Sequence, residues 1–303
     1  MSSGSRRLES LVWYERRDAP LMIKDNLQSA MDRFKERHNA GHSPLRSNGS
    51  HAVAPSTVIY SRTRSVVIPD EILQRHRILT GRDSNQFLNA YKILRTQVIH
   101  RLRENNWNVL GITSPRDGEG KTLTSINLAI ALAAEPTQTV LLVDADLCAP
   151  RIHRELGLEC DEGLTEFLLD SRPIEDLLVY PGLGRLIVLP GGRGTEHSAE
   201  ALTSPRMSAL GKELKHRYAS RIVIFDLPPA LDRADVLAFT PQLDALLLVV
   251  EDGKTTEPDF QQIMQILKGS VPILGTVLNK IGRDHLSLST MKRTNAGNMK
   301  ERG

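Results

Sequence analysis

Gly111-Ile-Thr-Ser-Pro-Arg-Asp-Gly-Glu-Gly-Lys-Thr-Leu-Thr-Ser-Ile-Asn127 decides how this chain is read. Before it, Asn108, Val109 and Leu110 read as the end of a buried strand. After it, Leu123 to Ala133 carries apolar residues at helical spacing. Strand, glycine-bearing loop, Lys-Thr and helix, in that order, make a phosphate-holding layout. Gly118 and Gly120 let the backbone turn so that several N–H groups point inward, and the helix adds its positive N-terminal end. Lys121 is placed to reach the outer phosphates, and the Thr122 hydroxyl to hold Mg²⁺. One position departs from the common spacing: Pro115 stands where that spacing has glycine.

Working outward, further aliphatic runs read as strands. Thr139-Val-Leu-Leu-Val-Asp-Ala-Asp146 ends in two carboxylates, and Arg221-Ile-Val-Ile-Phe-Asp226 ends in one. Arg185 to Pro190, Asp244 to Val250 and Ile273 to Asn279 complete the set. Such unbroken runs fit parallel strands covered on both faces. Helices are expected at 84–103, 204–218 and 258–268, and Gly191 to Gly194 reads as a flexible loop. Alternating strands and helices give an α/β class, a three-layer P-loop NTPase fold with a mainly parallel sheet. On the helix at 84–103, Phe87, Tyr91, Leu94, Val98 and Leu102 share one face, which lies on a core; its exposed side suits a neighbouring subunit.

Residues 1–65 read as a basic, partly disordered region holding one amphipathic helix at about 24–38; 66–283 as the P-loop domain; 284–303 as a disordered tail. Ser65 to Pro69 is a short strand or extended segment, followed by a short helix opened by Asp70 and Glu71. The net charge of +3 hides an asymmetry: the part before the loop is basic by roughly eight charges and the rest acidic by roughly five. The basic arm reads as a solvated linker, with an anionic lipid, nucleic acid or acidic partner as the alternative. Two cysteines, Cys148 and Cys160, form no disulfide scaffold and fit a reducing compartment. With no long apolar run and no secretory signal, a soluble cytoplasmic protein is expected, taken to any membrane by another protein.

Carboxylates at the carboxyl ends of parallel strands lie where open α/β sheets bind ligands. Phosphoryl transfer needs charge neutralisation, a held Mg²⁺ and an oriented nucleophile. Thr122 is the direct Mg²⁺ ligand in this reading and Asp226 its partner. Asp144 orients or deprotonates the attacking group, and Asp146 assists at the metal. His153 and His197 have no ligand-spaced partner and read as surface or capping residues; Cys148 reads as a buried inert thiol.

These segments resemble the bacterial tyrosine kinases of capsule and exopolysaccharide assembly, within the deviant-Walker ATPases that include those of chromosome partition and division-site placement. Thr113 to Thr122 resembles their Walker A loop. Val140-Leu-Leu-Val-Asp-Ala-Asp-Leu147, with Pro150 and His153, resembles their second motif, and Ile222 to Pro229 their Walker B. Asn89 to Thr96, Asp235 to Phe239, Leu246 to Val250 and Gly275 to Lys280 also look like family segments. Arg116 stands where partition ATPases carry a second lysine, which favours the kinase branch.

The resemblance implies ATP and Mg²⁺ as cofactors. Gly118, Glu119, Gly120, Lys121, Thr122, Leu123 and Asn279 bind the nucleotide; Thr122, Asp144 and Asp226 serve the metal; Asp144, Asp146 and Lys121 serve catalysis. It also implies a membrane-embedded polysaccharide co-polymerase as partner, recruitment to the inner face of the membrane, possible self-association and no nucleic acid. The chain departs from the pattern in three places. Cys148 and Ala149 stand where the family has arginine; Asn89, Lys92 and Arg95 replace a Glu-Arg-Arg spacing tied to ring assembly; and no tyrosine follows Tyr218. The alternatives are a non-kinase ATP-driven switch of the same fold and a positioning ATPase that binds nucleoid or membrane.

Overall fold

The computed structural model describes residues 12–14, 63–79, 86–216 and 221–281. The helix expected at 24–38, the tail from 284 and the residues at 217–220 lie outside these.

The described strands form one nine-stranded sheet. They are β1 (Val12–Tyr14), β2 (Arg64–Ser65), β3 (Val109–Thr113), β4 (Thr139–Asp144), β5 (Val179–Tyr180), β6 (Leu186–Leu189), β7 (Arg221–Asp226), β8 (Ala245–Glu251) and β9 (Ile273–Asn279). Their order is β1-β9-β8-β3-β7-β4-β6-β5-β2. From β9 to β6 every neighbouring pair is parallel. The antiparallel pairs are β1 on β9 and β5 on β6. Two strands that precede the phosphate loop in sequence therefore close the two edges of the sheet.

The helices in chain order are α1 (Asp70–Arg75), α2 (Gln86–Glu104), α3 (Lys121–Ala133), α4 (Ile152–Glu155), α5 (Leu164–Leu169), α6 (Ile174–Leu177), α7 (Ser198–Thr203), α8 (Pro205–His216), α9 (Asp235–Phe239) and α10 (Glu257–Ile266). Every residue of β3, β6 and β8 is buried, as the unbroken aliphatic runs require of strands covered on both faces.

Alternate side chains of those strands feed two apolar cores. Leu110, Ile112, Val140, Leu142, Ile222 and Ile224 join one, with α2 and α3. Val109, Leu141, Val143, Val223 and Phe225 join the other, with α8 and α9. That is the three-layer arrangement. On α2, Tyr91, Leu94, Val98 and Leu102 are fully buried, while Ile93 between them is 59% exposed. Truncating a fully buried leucine such as Leu94 costs about 2–5 kcal/mol. Pro69 ends an extended segment and opens α1. α1 is followed by a stretch that docks on α3: Asn127 accepts from the Leu79 N–H and donates to the Arg77 carbonyl.

Candidate functional site: a phosphate loop facing three strand-end carboxylates

Because β3, β4, β7 and β8 run parallel, their carboxyl ends lie side by side at one edge of the sheet. β3 delivers the loop. Gly118 and Gly120 have φ of +78° and +96°, the left-handed region that glycine enters freely. A Cβ on Gly120 would also meet Asn279 Nδ2 at 2.0 Å, so only glycine fits. Pro115 sits where the common spacing has glycine, and the turn is made by the two later glycines instead.

The Glu119 carboxylate is buried. It accepts from the Arg116 N–H (3.0 Å) and the Thr255 hydroxyl (2.5 Å), and burial raises its pKa. Asn279 donates to the Glu119 carbonyl at 3.0 Å; Lys280 reaches the Gly118 carbonyl and Lys254 the Asp117 carbonyl. The loop is thus tied from β8 and β9 before any ligand arrives. Leu123 packs its side chain against the apolar core, leaving only its backbone for a ligand.

At the start of α3, Lys121 is almost wholly buried and donates to Asp146 Oδ2 at 2.7 Å. Burial alone would lower the lysine pKa; Asp226, Asp146 and Asp144 outweigh it and raise it. Thr122 donates to Asp226 Oδ2 at 2.7 Å, and Ser125, one helical turn beyond Lys121, reaches Asp226 Oδ1 at 2.9 Å.

Asp144 and Asp226 are register partners on adjacent parallel strands. Burial, then the facing Asp226 charge, push the Asp144 pKa up to about 7; burial raises that of Asp226. The Asp144 oxygens accept from the backbone N–H groups of Asp146, Arg151 and Ile152, which fixes the turn after β4. The carboxylates read from the sequence therefore converge with Lys121 and Thr122.

The expectations for other residues divide. His197 is exposed and precedes α7 without a side-chain cap. His153 is half-buried, its Nδ1 buried without a hydrogen-bond partner, and burial lowers its pKa. Cys148, expected to be buried, is half-buried and lies against Arg233 Nη1 (2.6 Å) and Ser198 Oγ (2.9 Å). Arg233, from the turn between β7 and α9, thus brings a guanidinium to the turn that follows Asp146. Sequence reading missed Ser125, whose one-turn spacing from Lys121 was the available signal. It also missed Arg233, Lys254 and Lys280, which have no local signal because they approach from other strands.

Among the described residues no cluster of His, Cys, Asp and Glu forms a metal cage.

A sheet of this order with a phosphate loop defines a nucleotide-binding α/β protein. Residues 110–299 match the CobQ/CobB/MinD/ParA nucleotide binding domain, and the chain belongs to that family, in its tyrosine-kinase branch. It is 32% identical over 208 residues to tyrosine-protein kinase YwqD of Bacillus subtilis (strain 168), covering 68% of this chain and 86% of that protein. It is 29% identical over 215 residues to tyrosine-protein kinase etk of Escherichia coli (strain K12), covering 69% of this chain but only 29% of that longer protein. The solved kinase domain of the Escherichia coli tyrosine kinase superposes with a TM-score of 0.60 at 27% identity, over 73% of this chain and 89% of that one. The BceF tyrosine kinase domain gives 0.59 at 26%, over 72% and 83%. No helix among the described residues is long and apolar enough to cross a membrane.

Proposed function

We propose that this chain is a Mg-ATP-dependent tyrosine kinase-like ATPase of capsule or exopolysaccharide assembly, acting with a membrane-embedded co-polymerase. The observation that carries the enzymatic part is the convergence of Lys121, Thr122, Asp144, Asp146 and Asp226 at adjoining strand ends. The partner and the recruitment to the inner membrane face rest on similarity to the capsule kinases alone.

The residues present fit both cofactors. The backbone N–H groups of Gly118 to Leu123 and the Lys121 ammonium hold the phosphates. Thr122 holds Mg²⁺, with Asp226 positioning the threonine and Asp144 close by; bound Mg²⁺ neutralises charge that builds on the phosphoryl oxygens. Asp146 is the resting counter-ion of Lys121 and releases it when phosphate arrives. Asp144, with its pKa near 7, takes a proton from the attacking hydroxyl. Asn279 braces the loop through the Glu119 carbonyl.

The test is incubation with Mg²⁺ and γ-labelled ATP, followed by mapping of labelled residues. Phosphotyrosine is expected, on Tyr14, Tyr60, Tyr180 or Tyr218 rather than on Tyr91, which is 1% exposed. ATP hydrolysis with no phosphotyrosine on the chain or an added peptide would replace the kinase with an ATP-driven switch. Absence of nucleotide binding would remove the whole reading.

A further inference from the structure

The phosphate loop lies at the carboxyl ends of the parallel strands. Their amino ends hold a second cavity, of about 200 Å³. It opens between α2, the turn into β3, the turn into β4 and the start of β7. The length of β3 and β7 separates it from the nucleotide site by roughly 15 Å, at about 3.3 Å of rise per residue. Leu102, Trp107 and Ile222 give the cavity an apolar wall, and Arg103 and Arg221 bring two guanidinium groups. No acidic residue lines it among the described residues.

The carboxylates that come close to Arg103 along the chain or across the sheet end are taken elsewhere. Glu104 meets His100 at 3.2 Å, Glu135 meets Arg95 at 3.0 Å, and Asp244 meets Lys215. Asp244 also accepts the N–H groups of Asn108 and Val109, so this end of the sheet already holds one carboxylate of the chain's own. Arg103 is exposed and Trp107 half-buried. Neither the Arg103 guanidinium nor the Trp107 indole N–H has a hydrogen-bonded or charged partner among the described residues.

Size and chemistry together select a ligand. The cavity is smaller than the roughly 300–1,000 Å³ of pockets for drug-sized molecules, so it has room for one ring and its substituent and not for a second nucleotide. Guanidinium groups offer planar forks of N–H donors that match phosphate. An indole favours a flat apolar body beside it. Two cations without an internal carboxylate favour a dianion, because attraction grows with each unit of charge.

We propose that this cavity is a binding site for aryl phosphates, with the ring against Trp107 and Ile222 and the phosphate on Arg103 and Arg221. Phosphotyrosine has this chemistry: one ring and a group of about −1.5 to −2 charge at pH 7. Under the kinase reading it is the group this protein makes, so the cavity would hold the product of the other end of the sheet. That one clause rests on the kinase reading; the site itself does not. A free aryl phosphate is the other source of the same chemistry.

Trp13 and Trp107 are the two tryptophans of the chain, so in Trp13→Phe the remaining indole emission reports on the cavity. Phenyl phosphate, benzoate and inorganic phosphate are titrated into that variant by fluorescence and by calorimetry. Mg²⁺ and a non-hydrolysable ATP analogue are present to fill the phosphate loop. Phenyl phosphate is expected to bind at least about tenfold more tightly than the other two. Adding Arg103→Ala should weaken it about tenfold, with Arg103→Lys between, and should change affinity for the ATP analogue less than twofold. A phosphotyrosine peptide should compete with phenyl phosphate, and the same peptide with tyrosine or phosphoserine should not.

The inference is overturned if neither readout detects phenyl phosphate, if Arg103→Ala binds it as the parent does, or if benzoate or inorganic phosphate binds as tightly. Displacement by the ATP analogue would also overturn it, placing the ligand in the phosphate loop. Phenyl phosphate binding without competition from the phosphotyrosine peptide overturns the product clause and assigns the cavity to a free aryl phosphate. Binding in a protein that labels no tyrosine removes the kinase reading and leaves the site; tyrosine labelling without binding does the reverse.

Discussion

The two walls of the site are built by different means. On the β8–β9 side the phosphate loop is held by side chains from two places: Lys254 and Thr255 after β8, and Asn279 and Lys280 at the end of β9. On the β4–β6 side the wall is a turn fixed by its own backbone N–H groups on Asp144, beside Gly191 and the Cys148 side chain. The first wall is organised before a ligand binds, so little ordering entropy remains to be lost on binding. The second is closed by its own backbone, with Gly191 packed against Pro150 and the Asp144 carboxyl group. A nucleotide is always the same shape, and a preformed wall suits it.

The sharpest way to break this contrast is to remove the ammonium that joins the two walls. Lys121→Ala is expected to weaken nucleotide binding about 100-fold or more, the scale of losing charge-assisted bonds to phosphate. It also leaves Asp146 buried without its counter-ion, at a cost of about 3–5 kcal/mol in stability. Adding Asp146→Asn should recover most of the lost melting temperature and none of the affinity. Unchanged affinity in a titration of Lys121→Ala would sink the phosphate-loop assignment; recovery of affinity in the double variant would make the lysine structural only.

Next in size are the carboxylates shared between the walls. Asp226 acts by positioning Thr122 and Ser125, so Asp226→Asn should lower kcat roughly 10–100-fold, the usual effect of losing a group that orients a metal ligand. Nucleotide affinity should fall by much less, because the loop and Lys121 still hold the phosphates. Equal losses in kcat and affinity would argue that Asp226 only supports the fold.

The contrast between the walls also governs what was legible in the sequence. The loop, Lys121, Thr122 and the strand-end aspartates are written in contiguous stretches, because one strand and the turn after it make each part. The aliphatic runs gave the parallel sheet for the same reason, since a strand covered on both faces must be apolar throughout. What ties the walls together is not local. Arg233 meets Cys148 across 85 positions, and Asn279 meets Glu119 across 160. No periodicity encodes such pairs. The antiparallel edge strand Val12–Tyr14 was likewise hidden, because three residues without alternation carry no strand signal.

A smaller effect concerns protons. The folded protein raises the Asp144 pKa from 3.8 to about 7, so it holds a proton that the unfolded chain would release. A raised folded pKa contributes stability that is fully present below the unfolded value and lost as pH rises through the folded one. Without Mg²⁺ or nucleotide, the melting temperature should therefore fall between about pH 4 and pH 7 and level off above that. Asp144→Asn should flatten that fall. Melting curves in a chelating buffer decide it; parallel pH profiles for the two proteins would show that the carboxylate is not the group responsible.

The smallest effect is expected where the two walls touch at the surface. Arg151, from the turn after β4, reaches Asp117 of the phosphate loop at 3.0 Å, with both side chains about half exposed. The pair looks like a clasp over the site. Exposed ion pairs contribute only about 0–1 kcal/mol, however, because water screens the attraction and two mobile side chains must be ordered. Partial burial pushes the Asp117 pKa up, but the Arg151 hydrogen bond and charge, with the Gly118 N–H and Lys121, outweigh it and hold the carboxyl below its usual value. Arg151→Ala should accordingly change nucleotide affinity less than about threefold, and raising the salt concentration should erase even that difference. The backbone N–H of Arg151, which Asp144 accepts, survives the substitution and keeps the turn in place. A loss beyond tenfold that persists at high salt would mean that Arg151 contacts the nucleotide itself, and that the β4 wall takes a direct part in holding phosphate.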